Sequence, residues 1–311
     1  MAFETFRNIN FRPATRLVID QANVIIDEYQ QAGFTLTLRQ LYYQFVSRGL
    51  IPNKQTEYDK LGAIVNDGRL AGEIDWDAIE DRTRRLREYA VQDSPAAAAR
   101  DLAKESIEDL WDAQPKRIEV WIEKDALLGV IEPVCGRWRI PHFACRGYAS
   151  QSELYIAGKR LAEYVDREQE VLILHLGDHD PSGIDMTRDN RERLHLFAGG
   201  GNNGFDVDEP DERYENAIEI RRIALNMNQV QQYNPPPNPA KLTDSRATDY
   251  ISRFGNSSWE LDALDPKVID QLIDAEVRGE IDPQRWATAR ATEKANRQKL
   301  LDAADEMEDD A

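Results

Sequence analysis

The stretch Val171-Leu-Ile-Leu-His-Leu-Gly-Asp-His-Asp-Pro-Ser-Gly183 decides the fold and contains the first candidate site. An apolar run of this length, closed by turn residues, predicts a strand that is buried on both faces of a parallel sheet. Its carboxyl end brings Asp178 and Asp180 to the crevice where open α/β sheets bind ligands. Side chains two positions apart on an extended chain point the same way, so both carboxylates could bind one hard cation. The same aspartates also fit a turn that caps the following helix, and this stretch alone leaves both interpretations open.

Strand and helix patterns alternate through the centre of the chain, which predicts a doubly wound parallel sheet in an α/β protein. Strands are predicted over 116–123, over 141–145, over 170–177 and at the start of 217–232. Helical patterns lie between them, so the carboxyl ends of the strands are expected to meet at one edge of the sheet.

A third carboxylate belongs to that edge. Glu123 closes the first strand, as Asp178 and Asp180 close the third. Three unpaired acids at one edge would repel each other strongly without a cation. The sequence therefore predicts a Mg²⁺ site, with Glu123 available for proton transfer. The alternative is that Glu123 is paired with Lys124 or with another base.

The N-terminal part has the pattern of a winged helix-turn-helix. Helical periodicity covers 13–31, and a second helix is announced by the capping box Thr37-Leu-Arg-Gln40. A third helix is predicted over 56–70 and would be the one that reads a DNA groove. Residues 72–79 are expected to form a small hairpin, the wing.

Tyr43 is offset from the apolar stripe of the second helix. It lies four residues after Arg39 and four before Ser47, so these three residues share a more polar face. A partly exposed tyrosine beside a guanidinium is a candidate nucleophile, because the positive charge favours phenolate and can hold a phosphate. A tyrosine in an amphipathic helix is also typical of a core or its rim.

Charge is unevenly distributed along the chain. The net charge of −18 argues against nucleic-acid binding when taken globally. The densest basic cluster opposes it, and its arginines are candidates for phosphate contacts: Arg82, Arg84, Arg85 and Arg87. The alternative is a solvated face paired with neighbouring acids. An acidic surface also fits a high-salt host, or composition set by a GC-rich genome.

Length and composition indicate a two-domain globular protein of the cytoplasm. The chain has 311 residues, with 41% hydrophobic and 31% charged residues. It shows neither a membrane-spanning run nor a signal peptide at its N-terminus. Cys135 and Cys145 lack metal-site spacing and are expected to be buried free thiols. The last ten residues hold six acids, which predicts a disordered tail.

Two motifs of this sequence resemble a known family. Trp121-Ile-Glu-Lys-Asp-Ala126 and the segment Gly177-Asp-His-Asp-Pro-Ser-Gly183 are similar to the acidic motifs of a Toprim domain, the Mg²⁺-binding fold of topoisomerases, primases and some nucleases. The Asp-x-Asp-Pro-x-Gly form resembles in particular the A subunit of DNA topoisomerase VI and the related meiotic double-strand-break protein. In that family a winged-helix domain of the CAP type comes first and carries Arg-x-x-Tyr-Tyr, which Arg39-Gln-Leu-Tyr-Tyr43 matches. The resemblance covers about residues 35 to 235.

The resemblance implies a type IIB topoisomerase-like cleavage reaction. By analogy, Tyr43 attacks a DNA phosphodiester and stays on the 5′ phosphate, while Arg39 steadies the phosphate. Glu123 would serve as acid/base or metal ligand, with Asp178 and Asp180 holding Mg²⁺ near the leaving 3′ oxygen. The family's tyrosine works with the Toprim site of its partner, so double-stranded DNA and a homodimer are implied. Strand passage would require a separate ATP-binding B-type subunit.

The expected fold is thus α/β, with a winged helix-turn-helix (CAP-like) domain, a Toprim-type parallel domain and a helical C-terminal extension. The predicted division is a winged-helix domain over 1–90, a linker over 91–115, a Toprim domain over 116–235, docking helices over 236–301 and an acidic tail over 302–311. Two other functions stay open: a Toprim nuclease that hydrolyses DNA with water, and a non-catalytic DNA-binding protein.

Overall fold

The computed structural model describes residues 3–80, 91–105, 108–199, 212–240 and 243–309. Within them the helices are α1 (Pro13–Gln31), α2 (Leu38–Ser47), α3 (Gln55–Leu70), α4 (Pro95–Glu105), α5 (Leu128–Trp138), α6 (Gln151–Asp166), α7 (Pro181–Gly199), α8 (Glu212–Ala217), α9 (Met227–Tyr233), α10 (Ala247–Phe254), α11 (Pro266–Glu280) and α12 (Pro283–Asp309). The strands are β1 (Lys116–Ile122), β2 (His142–Ala144), β3 (Glu170–Leu176), β4 (Ile218–Ala224), β5 (Asn238–Pro239) and β6 (Ser257–Ser258). Short 3-10 helices cover Trp76–Ala78, Asp125–Leu127 and Leu261–Ala263.

The three N-terminal helices form as the sequence predicts and share one apolar core. The capping box at the start of α2 is confirmed in both directions. Thr37 Oγ1 accepts the N–H of Gln40 at 3.2 Å, and Gln40 Oε1 accepts the N–H of Thr37 at 2.9 Å. These bonds satisfy amides that the first turn of a helix leaves without partners.

The predicted wing is wrong. Within the described range 3–80, residues 72–79 fold back on α3 through a turn and the 3-10 helix Trp76–Ala78, and they form no hairpin. Arg69 on α3 donates to the carbonyls of Trp76 at 2.6 Å and Ile79 at 2.9 Å. Asp75 accepts the N–H of Asp77 at 3.1 Å. Side chains therefore take backbone groups that a strand partner would have taken.

A four-stranded parallel sheet forms the centre of the chain, in the order β2-β1-β3-β4. Helices α5 and α11 cover one face of the sheet and α6 and α7 cover the other. Along β3, Leu172 and Leu174 belong to the core on the side of α5 and α11, whereas Val171 and Ile173 belong to the core on the side of α6 and α7. Because both faces are buried, this strand is a continuous apolar run. The predicted doubly wound parallel sheet is confirmed.

The C-terminal segment packs on both earlier parts of the chain. The 3-10 helix Leu261–Ala263 contacts α2, α11 packs on α5, and α12 packs on α4. The predicted linker over 91–115 contains α4, which begins at Pro95, a residue suited to the first helical position. None of the helices in the described ranges is long and apolar enough to cross a membrane.

The predicted disorder of the acidic tail is wrong up to residue 309, because α12 continues to Asp309. Ala103 of α4 and Ala304 of α12 are both fully buried, and these small side chains let the two helices approach closely. Arg100 contacts Asp305 Oδ1 at 2.8 Å and also pairs with Glu308. A neighbouring helix thus supplies the cation that the tail's own sequence lacks.

Candidate functional site

Two of the predicted carboxylates meet where adjacent strands end. Ile122 of β1 pairs with Leu176 of β3; Glu123 directly follows Ile122, and Asp178 follows Leu176 after Gly177. The Asp178 N–H donates to Glu123 Oε2 at 2.8 Å, and the Glu123 N–H donates to the Leu176 carbonyl at 2.8 Å. The structure therefore brings Glu123 and Asp178 together at the edge that the sequence indicated.

Asp180 serves as a helix cap. Its Oδ1 accepts the N–H of Gly183 at 2.7 Å and the hydroxyl of Ser182 at 2.9 Å, in the first turn of α7. Of the two interpretations that the sequence left open for this aspartate, the structure shows capping. The cap fixes the direction in which the chain leaves the sheet edge, and so it positions Asp178 as well.

Lys124 supplies the positive charge at this edge. Its Nζ lies 3.1 Å from Asp178 Oδ1, 3.0 Å from Glu260 Oε2 and 3.0 Å from Asp262 Oδ1. From the sequence, this lysine was expected only as a partner for Glu123. Glu260 and Asp262 were not predicted; they approach from the segment after β6, more than 130 residues along the chain. The alternating pattern Trp259-Glu-Leu-Asp262 is the only sign of them in the sequence.

The same two acids bind Arg39. Its Nε lies 2.8 Å from Asp262 Oδ2, and its Nη2 contacts Glu260 Oε2. Arg39 Nη2 also donates to the Tyr43 hydroxyl at 3.4 Å. Polar contacts therefore run without a break from Tyr43 through Arg39, Asp262 and Lys124 to Asp178, all within one chain.

Tyr43 is buried, with 4% of its surface exposed, so the expected partial exposure is wrong. The 3-10 helix Leu261–Ala263 packs on α2 and covers the polar face that helix geometry alone would leave open. The tyrosine still lines a cavity of about 250 Å³ between α2, the start of α3 and Glu260. Arg39, Tyr58 and Lys54 are among the other residues of this cavity.

Burial and nearby acids keep the phenol protonated at neutral pH. Burial raises the pKa of Tyr43 to about 12, helped by the negative charges of Asp262 and Glu260. Arg39 acts in the opposite direction and is outweighed. Arg39 therefore favours phenolate as expected, but burial and the two carboxylates have the larger effect on the pKa of Tyr43.

The paired acids at the sheet edge hold protons more tightly than ordinary carboxyl groups. Burial raises the pKa of Asp178 to about 7, with Lys124 lowering it and Glu123 raising it. Burial also raises the pKa of Glu123. Glu260 behaves differently: although burial acts upward, Lys124 and Arg39 bring its pKa down to about 2.

The donor set at this edge fits one magnesium ion held by two carboxylates. Across the described ranges, no three His, Cys, Asp or Glu side chains are grouped closely enough to hold a metal. Mg²⁺ commonly binds through one or two carboxylates and substrate phosphates while keeping several waters. Glu123 and Asp178 meet that requirement, and a cation would relieve the repulsion between them. Asp180 Oδ1 is engaged in the helix cap.

Arg222 on β4 binds the motif loop, the segment 177–183, and was also not predicted. It donates to the carbonyls of Gly177 at 2.9 Å, Asp178 at 2.7 Å and Gly183 at 2.8 Å. Carbonyl groups in a buried loop require such donors. The signal that the sequence offered is a pair of arginines, Arg221 and Arg222, between the apolar residues of the strand Ile218–Ala224.

The predicted basic cluster of Arg82, Arg84, Arg85 and Arg87 lies outside the described residues.

Comparison with known proteins adds no relative: no protein-family model matches this chain, and no curated protein matches it.

Proposed function

We propose that this protein cleaves DNA by transferring a phosphodiester to Tyr43, with Mg²⁺ bound at Glu123 and Asp178. The observation that carries the proposal is the continuous line of polar contacts from Tyr43 through Arg39 to Asp178. It links the tyrosine of Arg-x-x-Tyr-Tyr to the acids of the two Toprim-like motifs, which lie 80 and 135 residues further along the chain. Supporting it is the position of both acids at the carboxyl edge of a parallel sheet.

Each residue has a distinct task in the proposed reaction. Tyr43 Oη forms a bond to phosphorus as the bond from phosphorus to the 3′ oxygen breaks, so no redox change occurs. The phenol proton passes to water in the cavity, and Arg39 binds the phosphate oxygens. The 3′ oxygen takes a proton from water, because Glu123 would hold the metal ion as a carboxylate.

When bound, Mg²⁺ supplies positive charge beside the phosphate and the leaving oxygen. Glu123 and Asp178 would hold it, and Asp180 orients the loop that carries Asp178. Arg222 keeps that loop against the sheet, so the two carboxylates stay in place through the reaction.

Formation of a covalent adduct tests the proposal. The full chain is incubated with supercoiled DNA and Mg²⁺ and then denatured, and protein should remain attached to 5′ ends. Tyr43→Phe should abolish the adduct. Tyr58→Phe is the matched control, because this tyrosine lines the same cavity, and it should retain the adduct. An undiminished adduct in Tyr43→Phe refutes the assignment of the nucleophile.

Hydrolysis by water is the second candidate function. The raised pKa of Tyr43 favours it, since a neutral, buried phenol is a poor nucleophile. A Toprim nuclease would nick DNA without an adduct, would tolerate Tyr43→Phe, and would lose activity in Asp178→Asn. A non-catalytic DNA-binding protein would bind DNA equally well with either substitution and would cleave none.

We further propose a homodimer on double-stranded DNA, with one tyrosine for each strand. The resembled family combines the tyrosine of one subunit with the acids of the other, whereas here Tyr43 and Asp178 of the same chain are bridged. Mixing Tyr43→Phe with Asp178→Asn distinguishes the two arrangements. Attack within one chain leaves the mixture inactive, and attack across the dimer restores adducts. Strand passage would additionally require a separate ATP-binding subunit.

A further inference from the structure

The carboxylate of Glu260 is surrounded by donors. Its Oε2 accepts from Arg39 Nη2 and from Lys124 Nζ, the latter at 3.0 Å, and its Oε1 accepts from Asn238 Nδ2 at 3.2 Å. The side chain is 27% exposed and lines the cavity that also holds Tyr43. The site of this carboxylate therefore contains two cations and an amide and is open on one side to a cavity. Such a site can bind other anions as well.

A phosphodiester suits that site in charge and in geometry. It carries a single negative charge, as the carboxylate does, and it offers more than one oxygen to a guanidinium and an ammonium. Arg39 Nη2, which contacts Glu260, also lies 3.4 Å from the Tyr43 hydroxyl. A phosphate in the place of the carboxylate would therefore lie beside the phenol.

The two acids of this segment differ in how firmly they are held. Asp262 is 4% exposed and contacts Arg39 Nε at 2.8 Å and Lys124 Nζ at 3.0 Å. Around it the backbone is fixed, because Leu261 N–H donates to Asp178 Oδ1 at 2.8 Å. Asp262 can thus keep both cations in position while the longer and more exposed side chain of Glu260 turns away.

We infer that Arg39, Lys124 and Asn238 form the binding site of the scissile phosphodiester, and that Glu260 occupies this site until DNA displaces its carboxylate. The inference rests on the proposed function and adds to it a substrate site with a built-in competitor. Lys124 and Asn238 become phosphate-binding residues that no sequence motif assigned. Removing the charge of Glu260 should then favour DNA.

Binding without metal tests this apart from any chemistry. A short fluorescein-labelled DNA duplex is titrated with the full chain in EDTA, and fluorescence anisotropy is followed at several salt concentrations. Glu260→Gln should bind about tenfold tighter than wild type at low salt, with a salt slope steeper by about 1, since one more phosphate is neutralised. Glu276→Gln is the matched control: that acid is 34% exposed, pairs with Arg221 at 2.8 Å, and is removed with the same change in net charge.

Two further measurements identify the site. Adding Lys124→Met to Glu260→Gln should remove most of the gain, because the freed ammonium is what the phosphate contacts. Inorganic phosphate should raise the melting temperature of Glu260→Gln and leave that of wild type unchanged. If Glu260→Gln does not fold, Glu260→Asp replaces it, since its shorter side chain withdraws from the cations and should bind about threefold tighter.

The outcomes separate this inference from the cleavage proposal. Equal DNA affinity of Glu260→Gln and wild type overturns it, as does an equal gain in Glu276→Gln, which would report net charge alone. A lower melting temperature with no gain in affinity would show that Glu260 only joins two parts of the chain. Absence of a tyrosyl adduct would refute the cleavage mechanism while leaving these binding results as they stand.

Discussion

Gly183 offers the sharpest test of how the motif loop is built. It lies in the first turn of α7, where a Cβ would stand 2.2 Å from the Asp178 carbonyl oxygen and 3.0 Å from its carbon. Both atoms are backbone, so no side-chain rotation relieves the contact. Arg222 holds the two segments together, donating to the Gly183 carbonyl at 2.8 Å and the Asp178 carbonyl at 2.7 Å.

The cost of Gly183→Ala follows from that distance. The loop and the helix must separate by about 1 Å, and overpacking of this kind typically costs about 1–3 kcal/mol. The movement also strains the bond from Gly183 N–H to Asp180 Oδ1, a helix cap worth about 1 kcal/mol. Alanine returns up to about 1 kcal/mol through its better helix propensity. We therefore expect the free energy of unfolding to fall by about 2 kcal/mol.

Urea unfolding followed by tryptophan fluorescence measures this loss. Gly136→Ala in α5 is the control, because its Cβ would meet no atom within 4 Å. It should stabilise the protein by about 0.5–1 kcal/mol. Adduct formation by Gly183→Ala should fall by about a hundredfold, the usual effect of a 1 Å displacement of catalytic groups. Unchanged stability in Gly183→Ala would refute the close approach as the reason for this glycine.

Two further substitutions test buried charge elsewhere. His175 is fully buried with its pKa lowered to about 3 by burial and by Arg222, so it stays neutral while the unfolded chain binds a proton below pH 6.5. The free energy of unfolding should therefore fall as the pH drops from 6.5 towards 3. In His175→Leu, chemical denaturation should show a pH dependence that is shallower by about 1.4 kcal/mol per pH unit. Equal slopes in the two proteins would contradict a neutral, buried His175. Arg160→Met should lower the free energy of unfolding by about 2 kcal/mol, measured by heat or urea, although the arginine is 41% exposed. The reason is that the carboxylate of Glu119, which is 3% exposed, loses its positively charged partner. Arg188→Met is the control for Arg160→Met, because Arg188 forms an exposed ion pair. It should change the free energy of unfolding by less than about 1 kcal/mol.

The sequence predicted the sheet and the meeting of Glu123 with Asp178 because both depend on local pattern and on one topological rule. The apolar run of β3 and the alternation of strands with helices are visible over short windows. Parallel strands joined by helices then place their carboxyl ends at a single edge. No knowledge of distant contacts is required for either step.

The acidic tail and the exposure of Tyr43 were predicted wrongly because each depends on a partner distant in sequence: Arg100 for the end of α12, and the 3-10 helix Leu261–Ala263 for the polar face of α2. The wing was predicted wrongly for a local reason, because Arg69 binds the carbonyls of Trp76 and Ile79, seven and ten residues further along the chain. Helix periodicity describes which face is polar, and it contains no information on what covers that face.

Glu260 also determines how the charge around Arg39 and Lys124 would change when a phosphate binds to this chain, whose net charge is −18. A phosphate that replaces the Glu260 carboxylate exchanges one anion for another at Arg39 and Lys124, so the charge around both cations stays constant. The released carboxylate moves into water, where its repulsion is screened within about 10 Å. Under this proposal the scissile phosphate binds to Arg39 and Lys124 in competition with Glu260, and flanking DNA requires a separate basic surface.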